Sequence, residues 1–300
     1  MTSQFTVDDR PARLTVGVVG AGRVGAVLGV ALGRAGHLVV AVAAVSDASR
    51  RRADDLLPGV PVLPPPEVLD AAELVLLTVP DDVLAGLVDG LVTGGHVRPG
   101  QLLAHTSGLH GVRMLGAATA VGALPLALHP AMTFTGRLED LDRLAGACFG
   151  ITAPEPLRPI AEALVLEMGG DPQWVEEEHR ALYHAALTGG ANHLATLVNE
   201  TVDLLRRCGV EEPERMLAPL LGASLDNALR SGDAALTGPV ARGDAGTVAA
   251  HVEVLRTVSP HTAAAYVALA RLTADRALAA GLLRPEAAES LLDVLAGGPA

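Results

Sequence analysis

The residues of this chain that could do chemistry are polar side chains set among apolar stretches. His105 and His129 each follow a short apolar run, where each could either take part in chemistry or be satisfied locally by the backbone. His184, Thr188 and Asn192 recur at intervals of four, which places them on one side of a predicted helix. Histidine has an ordinary pKa near neutrality and can donate or accept a proton. These residues are candidates for proton transfer and for contact with a small polar substrate, although a stripe of this kind can also serve only to bond neighbouring helices.

A glycine-rich turn, Gly20-Ala-Gly-Arg-Val-Gly25, fits the pattern G-x-G-x-x-G. It follows a predicted strand and opens a predicted helix, the context in which this pattern binds the pyrophosphate of a dinucleotide. The outer glycines permit the tight turn and close helix packing, while Gly22 lets the backbone approach the phosphates. Arg23 and Val24 lie at the start of the helix, whose free N–H groups would face the phosphates. The turn predicts NAD or NADP, the alternative being an α/β protein that binds another ligand.

The end of the second predicted strand bears on the choice between these cofactors. Asp47 would accept hydrogen bonds from the ribose of NAD, whereas Ser46, Arg50 and Arg51 would hold the 2′-phosphate of NADP. We expect NADP, with NAD as the alternative. The arginines could also form a solvated helix face.

Two further predicted strand ends supply expected cofactor contacts. Val79-Pro80 follows the third strand, and Thr106-Ser107 follows the next one. Ligands of open α/β sheets bind at this carboxyl edge. Asp81 is expected to cap the helix after Pro80, the alternative being direct contact with the ligand. No metal site is predicted.

All 22 basic side chains other than histidine are arginines, because the chain contains no lysine. Lysine Schiff-base chemistry and a lysine proton donor are therefore excluded. We expect His184 to be the proton donor, with Asn192 and His129 as further catalytic residues. His105 and Tyr183 are competitors, and Tyr183 is expected on the apolar side of its helix.

A polar, glycine-rich stretch at 236–244 interrupts the later helical pattern. Its Arg242 could bind a substrate carboxylate through the planar guanidinium, or pair with Asp244. Thr188 is the other expected substrate contact.

The elements that position these residues follow from the apolar pattern. Short runs rich in Val and Leu predict buried strands at 14–19, 38–45 and 73–79. Shorter candidate strands follow at 101–105 and 124–128, and 147–152 is one further candidate. Helical stretches separate them, which predicts an α/β fold with a doubly wound parallel sheet of the Rossmann type. Later periodicity predicts helices at 177–207, 213–230, 245–257, 260–280 and 285–296. We expect a leader at 1–13, a Rossmann domain at 14–172 and an all-helical domain at 173–300.

Composition limits the partners and the compartment. The net charge of -12 argues against nucleic acid or an anionic membrane as partner. Two cysteines, Cys148 and Cys208, match no metal-ligand spacing and fit a reducing cytoplasm. The most apolar stretch, at 38–45, is far shorter than the roughly 20 residues of a membrane span. A soluble, cytoplasmic protein is expected.

The chain resembles a family of Rossmann-like proteins that carry an uncharacterised helical C-terminal domain. The motifs behind this resemblance are the glycine turn, TVPDD at 78–82, HTSG at 105–108, HPAMTF at 129–134, YHAALTGGAN at 183–192 and LTGPVARGD at 236–244. The family is similar to ketopantoate reductases, pyrroline-5-carboxylate reductases and 6-phosphogluconate-type dehydrogenases. That similarity implies hydride transfer from NADPH, a cleft between the domains and homodimers formed through helices. Ketopantoate reductases carry a lysine and asparagines at the spacing that His184, Thr188 and Asn192 show here.

Together these expectations describe a reductase of a C=O or C=N bond in a small carboxylated metabolite, with NADPH as hydride donor. The alternative is a dinucleotide-binding regulator or sensor without turnover.

Overall fold

The structure is a computed structural model that describes residues 13–297. The predicted leader therefore lies outside the described residues except for Arg13. The chain divides into two compact units, residues 1–192 and residues 193–300. This division falls inside a long helix, further along the chain than the predicted boundary after residue 172, which stays a prediction.

The first unit is built on a seven-stranded sheet. Its strands are β1 (Thr15–Val19), β2 (Leu38–Ala43), β3 (Leu74–Leu77), β4 (Leu102–His105), β5 (Leu124–Pro130), β6 (Cys148–Thr152) and β7 (Asp171–Trp174). The strand order is β2-β1-β3-β4-β5-β6-β7. Neighbouring strands are parallel except that β6 runs antiparallel to β5. The doubly wound, mostly parallel sheet of the Rossmann type is confirmed. Strand β6 is the antiparallel member, and β7 is a strand that the apolar pattern does not predict.

The strands are apolar on both faces because helices cover both sides of the sheet. In β3, Leu74 and Leu76 enter one buried hydrophobic cluster, whereas Val75 and Leu77 enter the other. Successive side chains of a strand point to opposite faces, so an unbroken apolar run is what a sheet covered on both sides requires. This is the physical basis of the strand predictions.

Seven helices of the described chain connect the strands, and an eighth leaves the sheet. They are α1 (Arg23–Arg34), α2 (Asp47–Leu56), α3 (Pro65–Ala71), α4 (Asp81–Thr93), α5 (Gly116–Ala120), α6 (Glu139–Leu144), α7 (Arg158–Glu167) and α8 (Arg180–Arg207). Helix α4 begins at Asp81 itself, with Pro80 at the cap position. The expectation that the Asp81 side chain caps this helix is therefore wrong.

In residues 193–297, the described part of the second unit, every regular element is helical. After the end of α8 come α9 (Pro213–Ser231), α10 (Gly238–Arg242), α11 (Ala245–Val258), α12 (Pro260–Ala279) and α13 (Pro285–Ala296). Asp244 caps α11 by accepting the Thr247 N–H, and Ser259 caps α12. The predicted helical C-terminal region is confirmed.

Helices α8 and α9 expose apolar side chains in the single chain. The exposed leucines are Leu182, Leu194 and Leu197 on α8 and Leu220, Leu225 and Leu229 on α9. A Cβ placed on Gly189 or Gly190 of α8 would meet no described atom within 4 Å. Among residues 13–297, no helix is both long enough and apolar enough to span a membrane.

Candidate functional site

The glycine turn between β1 and α1 has the geometry of a phosphate cradle. Gly20 has a φ of 106°, which favours glycine. A Cβ on Gly25 would overlap Thr78 Oγ1 and the Gly20 carbonyl oxygen, so Gly25 permits the close packing expected of it. A Cβ on Gly22 would face open space, with Gly20 O the nearest atom at 4.0 Å. Because no side chain caps α1, the N–H groups at its start are available to a ligand.

Of the residues after β2, some make contacts only within α2 and one contacts the glycine turn. Ser46 caps α2 by accepting the Ser49 N–H at 3.1 Å, and Arg50 pairs with Asp47 at 3.3 Å. Arg52 instead reaches the turn, where its Nη1 donates to Ala21 O at 3.2 Å. Arg52 belongs to the arginine run of the sequence but was not among the expected cofactor residues. The roles predicted for Ser46 and Arg50 stay predictions.

The loop between β5 and α6, residues 131–138, lies opposite the arginines of α2. A Cβ on Gly136 would lie 2.5 Å from Arg52 Nε and 2.9 Å from Arg23 Cγ, so only a glycine allows this approach. Arg51, Arg52 and Arg137 line the open pocket of about 590 Å³ between this loop and α2, with Asp55 and Glu139 also at its wall. Sequence reasoning missed Arg137, which follows an irregular stretch without a motif.

The carboxylate of Asp140 fixes this loop. It accepts the Thr135 N–H at 2.8 Å, the Gly136 N–H at 2.7 Å and the Thr135 hydroxyl at 2.9 Å. Burial acts to raise the pKa of Asp140, but these hydrogen bonds together hold it below its ordinary value. The ionised carboxylate therefore holds the wall that carries Arg137.

The strand ends expected to contact the rest of the cofactor lie along the same carboxyl edge. Val79 is partly buried and Pro80 is exposed at the start of α4. Thr106 is partly buried, while Ser107 is buried with its hydroxyl accepting the His110 N–H at 3.2 Å. The hydroxyl of Ser107 thus accepts a hydrogen bond within its own loop and keeps its proton as a donor.

His105 is held by the loop that follows it. Its Nδ1 accepts the Ser107 N–H at 3.2 Å, which assigns the ring proton to Nε2, and Nε2 then donates to Gly111 O at 2.9 Å. Burial lowers the pKa of His105 to about 4. Both ring nitrogens are used locally, so His105 is a structural residue of this loop.

His129, Tyr183 and His184 come together at the end of β5. The Tyr183 hydroxyl lies 2.9 Å from His129 Nδ1, and the ring of His184 meets that of His129 edge to face at 6.1 Å between centroids. Burial first, and then the charge of Arg180, lowers the pKa of His129 to about 4. Although Tyr183 is expected on the apolar side of its helix, its hydroxyl contacts His129, so the tyrosine belongs to this group.

Two glycines make room for this group of rings. A Cβ on Gly108 would lie 2.7 Å from His184 Cδ2 and 2.9 Å from His129 Nε2. A Cβ on Gly150 in β6 would overlap the Tyr183 hydroxyl. A glycine inside a strand often marks a close approach, so Gly150 is the sequence feature from which the position of Tyr183 could have been suspected.

Arg180, at the start of α8, is buried beside this group, with 1% of its surface exposed. Its Nε donates to Thr152 Oγ1 at 2.8 Å, and its Nη2 donates to the carbonyl oxygens of Ala127 and Gly150 at 3.2 and 3.1 Å. Its Nη1 is buried without a hydrogen-bond partner in the described part of the chain. Burial lowers the pKa of this guanidinium, which is nevertheless a strong enough base to stay charged.

The remaining predicted residues lie further along the chain. Thr188 and Asn192 follow His184 on α8 at the predicted spacing, Thr188 partly buried and Asn192 exposed. Arg242 lies in the last turn of α10 in the second unit and is exposed. Asp244 caps α11, and the role of Arg242 stays a prediction.

The sheet, the glycine turn and the uncapped start of α1 define a protein of the Rossmann type. A family model described as a Rossmann-like domain matches residues 1–130. A second model, described as the domain of unknown function DUF2520, matches residues 147–273. The chain thus combines a Rossmann-like domain with a DUF2520 domain, as its resemblance implied. No curated protein sequence matches it.

Solved structures share the fold over most of the chain. A Bacteroides fragilis protein with the provisional name NADP oxidoreductase is 22% identical, with a TM-score of 0.71 over 88% of this chain and 98% of that one. An imine reductase from Pseudomonas sp. is 19% identical, with a TM-score of 0.66 over 95% and 100%. A Plasmodium falciparum pyrroline carboxylate reductase with NADP bound is 12% identical, with a TM-score of 0.56 over 88% and 98%. At these identities the likeness establishes the fold.

Proposed function

We propose that this protein is an NADPH-dependent oxidoreductase that reduces a C=O or C=N bond in a small carboxylated metabolite. The observation that carries the proposal is the group of His129, Tyr183 and His184 at the carboxyl end of β5. Strand β5 is parallel, through β4 and β3, to β1, so this group and the glycine turn lie at the same edge of the sheet. A protein that only binds a dinucleotide has no need of such a group.

The residues of the first unit fit a dinucleotide. Gly20, Gly22 and Gly25, with the N–H groups of Arg23 and Val24, would hold the pyrophosphate, because Gly22 faces open space and α1 has no side-chain cap. The carboxyl edge of the sheet continues past Val79-Pro80 to Thr106-Ser107, the proposed contacts toward the nicotinamide. When bound, the nicotinamide would supply the hydride, while the chain supplies orientation and a proton.

Preference for NADP is supported by the arginines around the pocket at α2. Arg51, Arg52 and Arg137 line it, and guanidinium groups bind phosphate through paired hydrogen bonds. Asp47, the residue that would favour NAD, is paired with Arg50. We therefore place the 2′-phosphate against Arg51 and Arg137, with Ser46 and Arg50 at its edge.

Calorimetry with NADPH and NADH tests this preference. NADPH should bind at least about tenfold more tightly, a difference of roughly 1.4 kcal/mol. The double variant Arg51→Ala, Arg137→Ala should shrink this gap, whereas Arg34→Ala, which removes an exposed arginine from the far end of α1, should preserve it. Equal affinities of the parent protein for the two cofactors would favour Asp47 and NAD.

The proposed substrate contacts are Thr188 and Arg242, the latter for a carboxylate group, and Asn192 stays a proposed catalytic residue. The imine reductase and the pyrroline carboxylate reductase with this fold are named for C=N reduction. Turnover should be sought as loss of NADPH absorbance with a panel of 2-keto acids and cyclic imines. Tight NADPH binding without turnover on either class would favour the regulator or sensor instead.

A further inference from the structure

The hydroxyl group of Tyr183 lies where several groups can stabilise its negative form. His129 Nδ1 is 2.9 Å away, and the backbone of Gly150 acts to lower the pKa of this hydroxyl. The guanidinium carbon of Arg180 lies 5.8 Å from the centre of the Tyr183 ring. Tyr183 thus has a ring nitrogen at hydrogen-bond distance from its hydroxyl and a cation near its ring.

The charge of Arg180 affects which protonation states of His129 and Tyr183 are favoured. Among described residues, its hydrogen bonds go to neutral oxygens, those of Thr152, Ala127 and Gly150. No carboxylate of the described residues forms an ion pair with this guanidinium. The charges of Tyr183 and Glu177 act to raise its pKa, so the guanidinium and Tyr183 interact electrostatically. A cation favours a neutral imidazole on His129 and a phenolate on Tyr183, the state that tyrosine reaches after it gives up its proton.

At neutral pH the tyrosine holds its proton and the histidine is neutral. Burial raises the pKa of Tyr183 above its ordinary value, against the opposing effect of Arg180, so the phenol carries its proton at neutral pH. His129, with a pKa of about 4, is neutral there and can donate Nδ1–H to the tyrosine oxygen. The other charged or titratable groups acting on the pair are His184, His105, Asp81 and Cys148.

From these contacts we infer that Tyr183 is the proton donor of the proposed reduction and that His129 is its positioning residue. This inference rests on the proposed function. The carbon of the substrate double bond receives the hydride, and its oxygen or nitrogen receives the phenolic proton of Tyr183. The phenolate, held by His129 Nδ1–H beside Arg180, then takes a proton from water. The sum is one hydride and one proton added, with Tyr183 restored.

The second unit provides a matched control pair. The Tyr266 hydroxyl lies 3.0 Å from His251 Nδ1, and the two rings meet edge to face, as those of Tyr183 and His129 do. Tyr183 and Tyr266 are the two tyrosines of the chain. In the Tyr266→Phe variant, near-ultraviolet absorbance therefore follows the ionisation of Tyr183 alone.

The first experiment is this titration, which needs neither substrate nor cofactor. Adding His129→Leu to the Tyr266→Phe background should raise the pKa of Tyr183 by about one unit, because a hydrogen bond to the phenolate is lost. His129→Gln, which retains an amide donor, should raise it less. Identical Tyr183 titrations in the three proteins would overturn the inference.

The second experiment uses turnover of any active compound from the keto acid and imine panel. Tyr183→Phe should lower kcat by roughly 10²–10⁴-fold while NADPH affinity measured by calorimetry is unchanged, and Tyr266→Phe should retain parental kcat. With a tyrosine donor the parental rate should stay level from about pH 6 to pH 8, whereas a histidine donor loses rate as its imidazolium deprotonates.

The outcomes separate the inference from the proposed function. A parental kcat in Tyr183→Phe would overturn the inference. So would a parental rate that falls through neutral pH together with loss of turnover in His184→Ala, and the role of proton donor would then return to His184. A parent protein that oxidises NADPH with no member of the panel would count against the reductase itself. In that case the titration still tests whether His129 stabilises the phenolate of Tyr183, because the titration needs no turnover.

Discussion

Replacing His105 with glutamine should remove a large part of the acid sensitivity of the first unit. The folded protein holds this imidazole neutral, with a pKa of about 4, since burial opposes the charged form. In the unfolded chain the pKa returns to its ordinary value of 6.5. Because the folded pKa is depressed, the stabilisation is complete above pH 6.5 and is lost as the pH falls towards 4.

The magnitude follows from the difference between the two pKa values. It corresponds to about 3 kcal/mol in all, of which about 2 kcal/mol is lost between pH 7 and pH 5. Glutamine can replace Nε2–H as donor to Gly111 O but does not titrate. His105→Gln should therefore be less stable near pH 7, where Ser107 N–H loses its partner, yet lose about 2 kcal/mol less than the parent on acidification.

The single tryptophan makes the assay specific for this unit. Trp174 lies in β7, so its fluorescence during urea unfolding reports the first unit alone. The free energy of unfolding should be measured near pH 7 and near pH 5 for the parent, for His105→Gln and for His179→Gln, which replaces an exposed histidine of the same unit. Equal losses in all three proteins would refute the assignment of His105 as a buried neutral group.

Three further results are expected. Gly22→Asp should fold, because its Cβ meets open space, but should lose NADP(H) binding through the added carboxylate; unchanged affinity by calorimetry would contradict the phosphate cradle. Gly108→Ala should displace the rings of His129 and His184 and destabilise the first unit by about 1–3 kcal/mol in the Trp174 unfolding assay, and parental stability would mean that the rings move freely. The exposed leucines of α8 and α9 should be covered by a second copy of the chain, so light scattering should report a dimer, and a mass of 30.6 kDa at micromolar concentration would rule it out.

Most of the sheet could be predicted because its strands are buried on both faces. Strands such as β3 and β4 are continuous apolar runs, and that pattern is local. Strand β7 reads Asp-Pro-Gln-Trp and forms by pairing with β6 at the sheet edge, a non-local cause that no apolar run records. The antiparallel direction of β6 depends in the same way on the path of the connection before it.

The glycine turn could be predicted because its requirements are steric and local. The contact of Tyr183 with His129 could not, since it joins residues far apart in the chain. It depends on Arg180, which ties the start of α8 to the backbone of β5 and β6. Helical periodicity places Tyr183 correctly on α8 but says nothing of the groove that Gly150 leaves for its hydroxyl.

The hydrogen bonds of Asp140 have an entropic consequence for the arginine pocket. They fix Thr135 and Gly136 as the chain folds. The free-energy cost of ordering the backbone, about 1–2 kcal/mol per residue, therefore arises during folding and not during binding. Arg137 projects from an immobilised backbone, and an arriving anion has only its side chain to order. The affinity of this arginine pocket for an anion then depends on the buried carboxylate of Asp140. That carboxylate attracts no anion itself, but it preorganises the loop that carries Arg137.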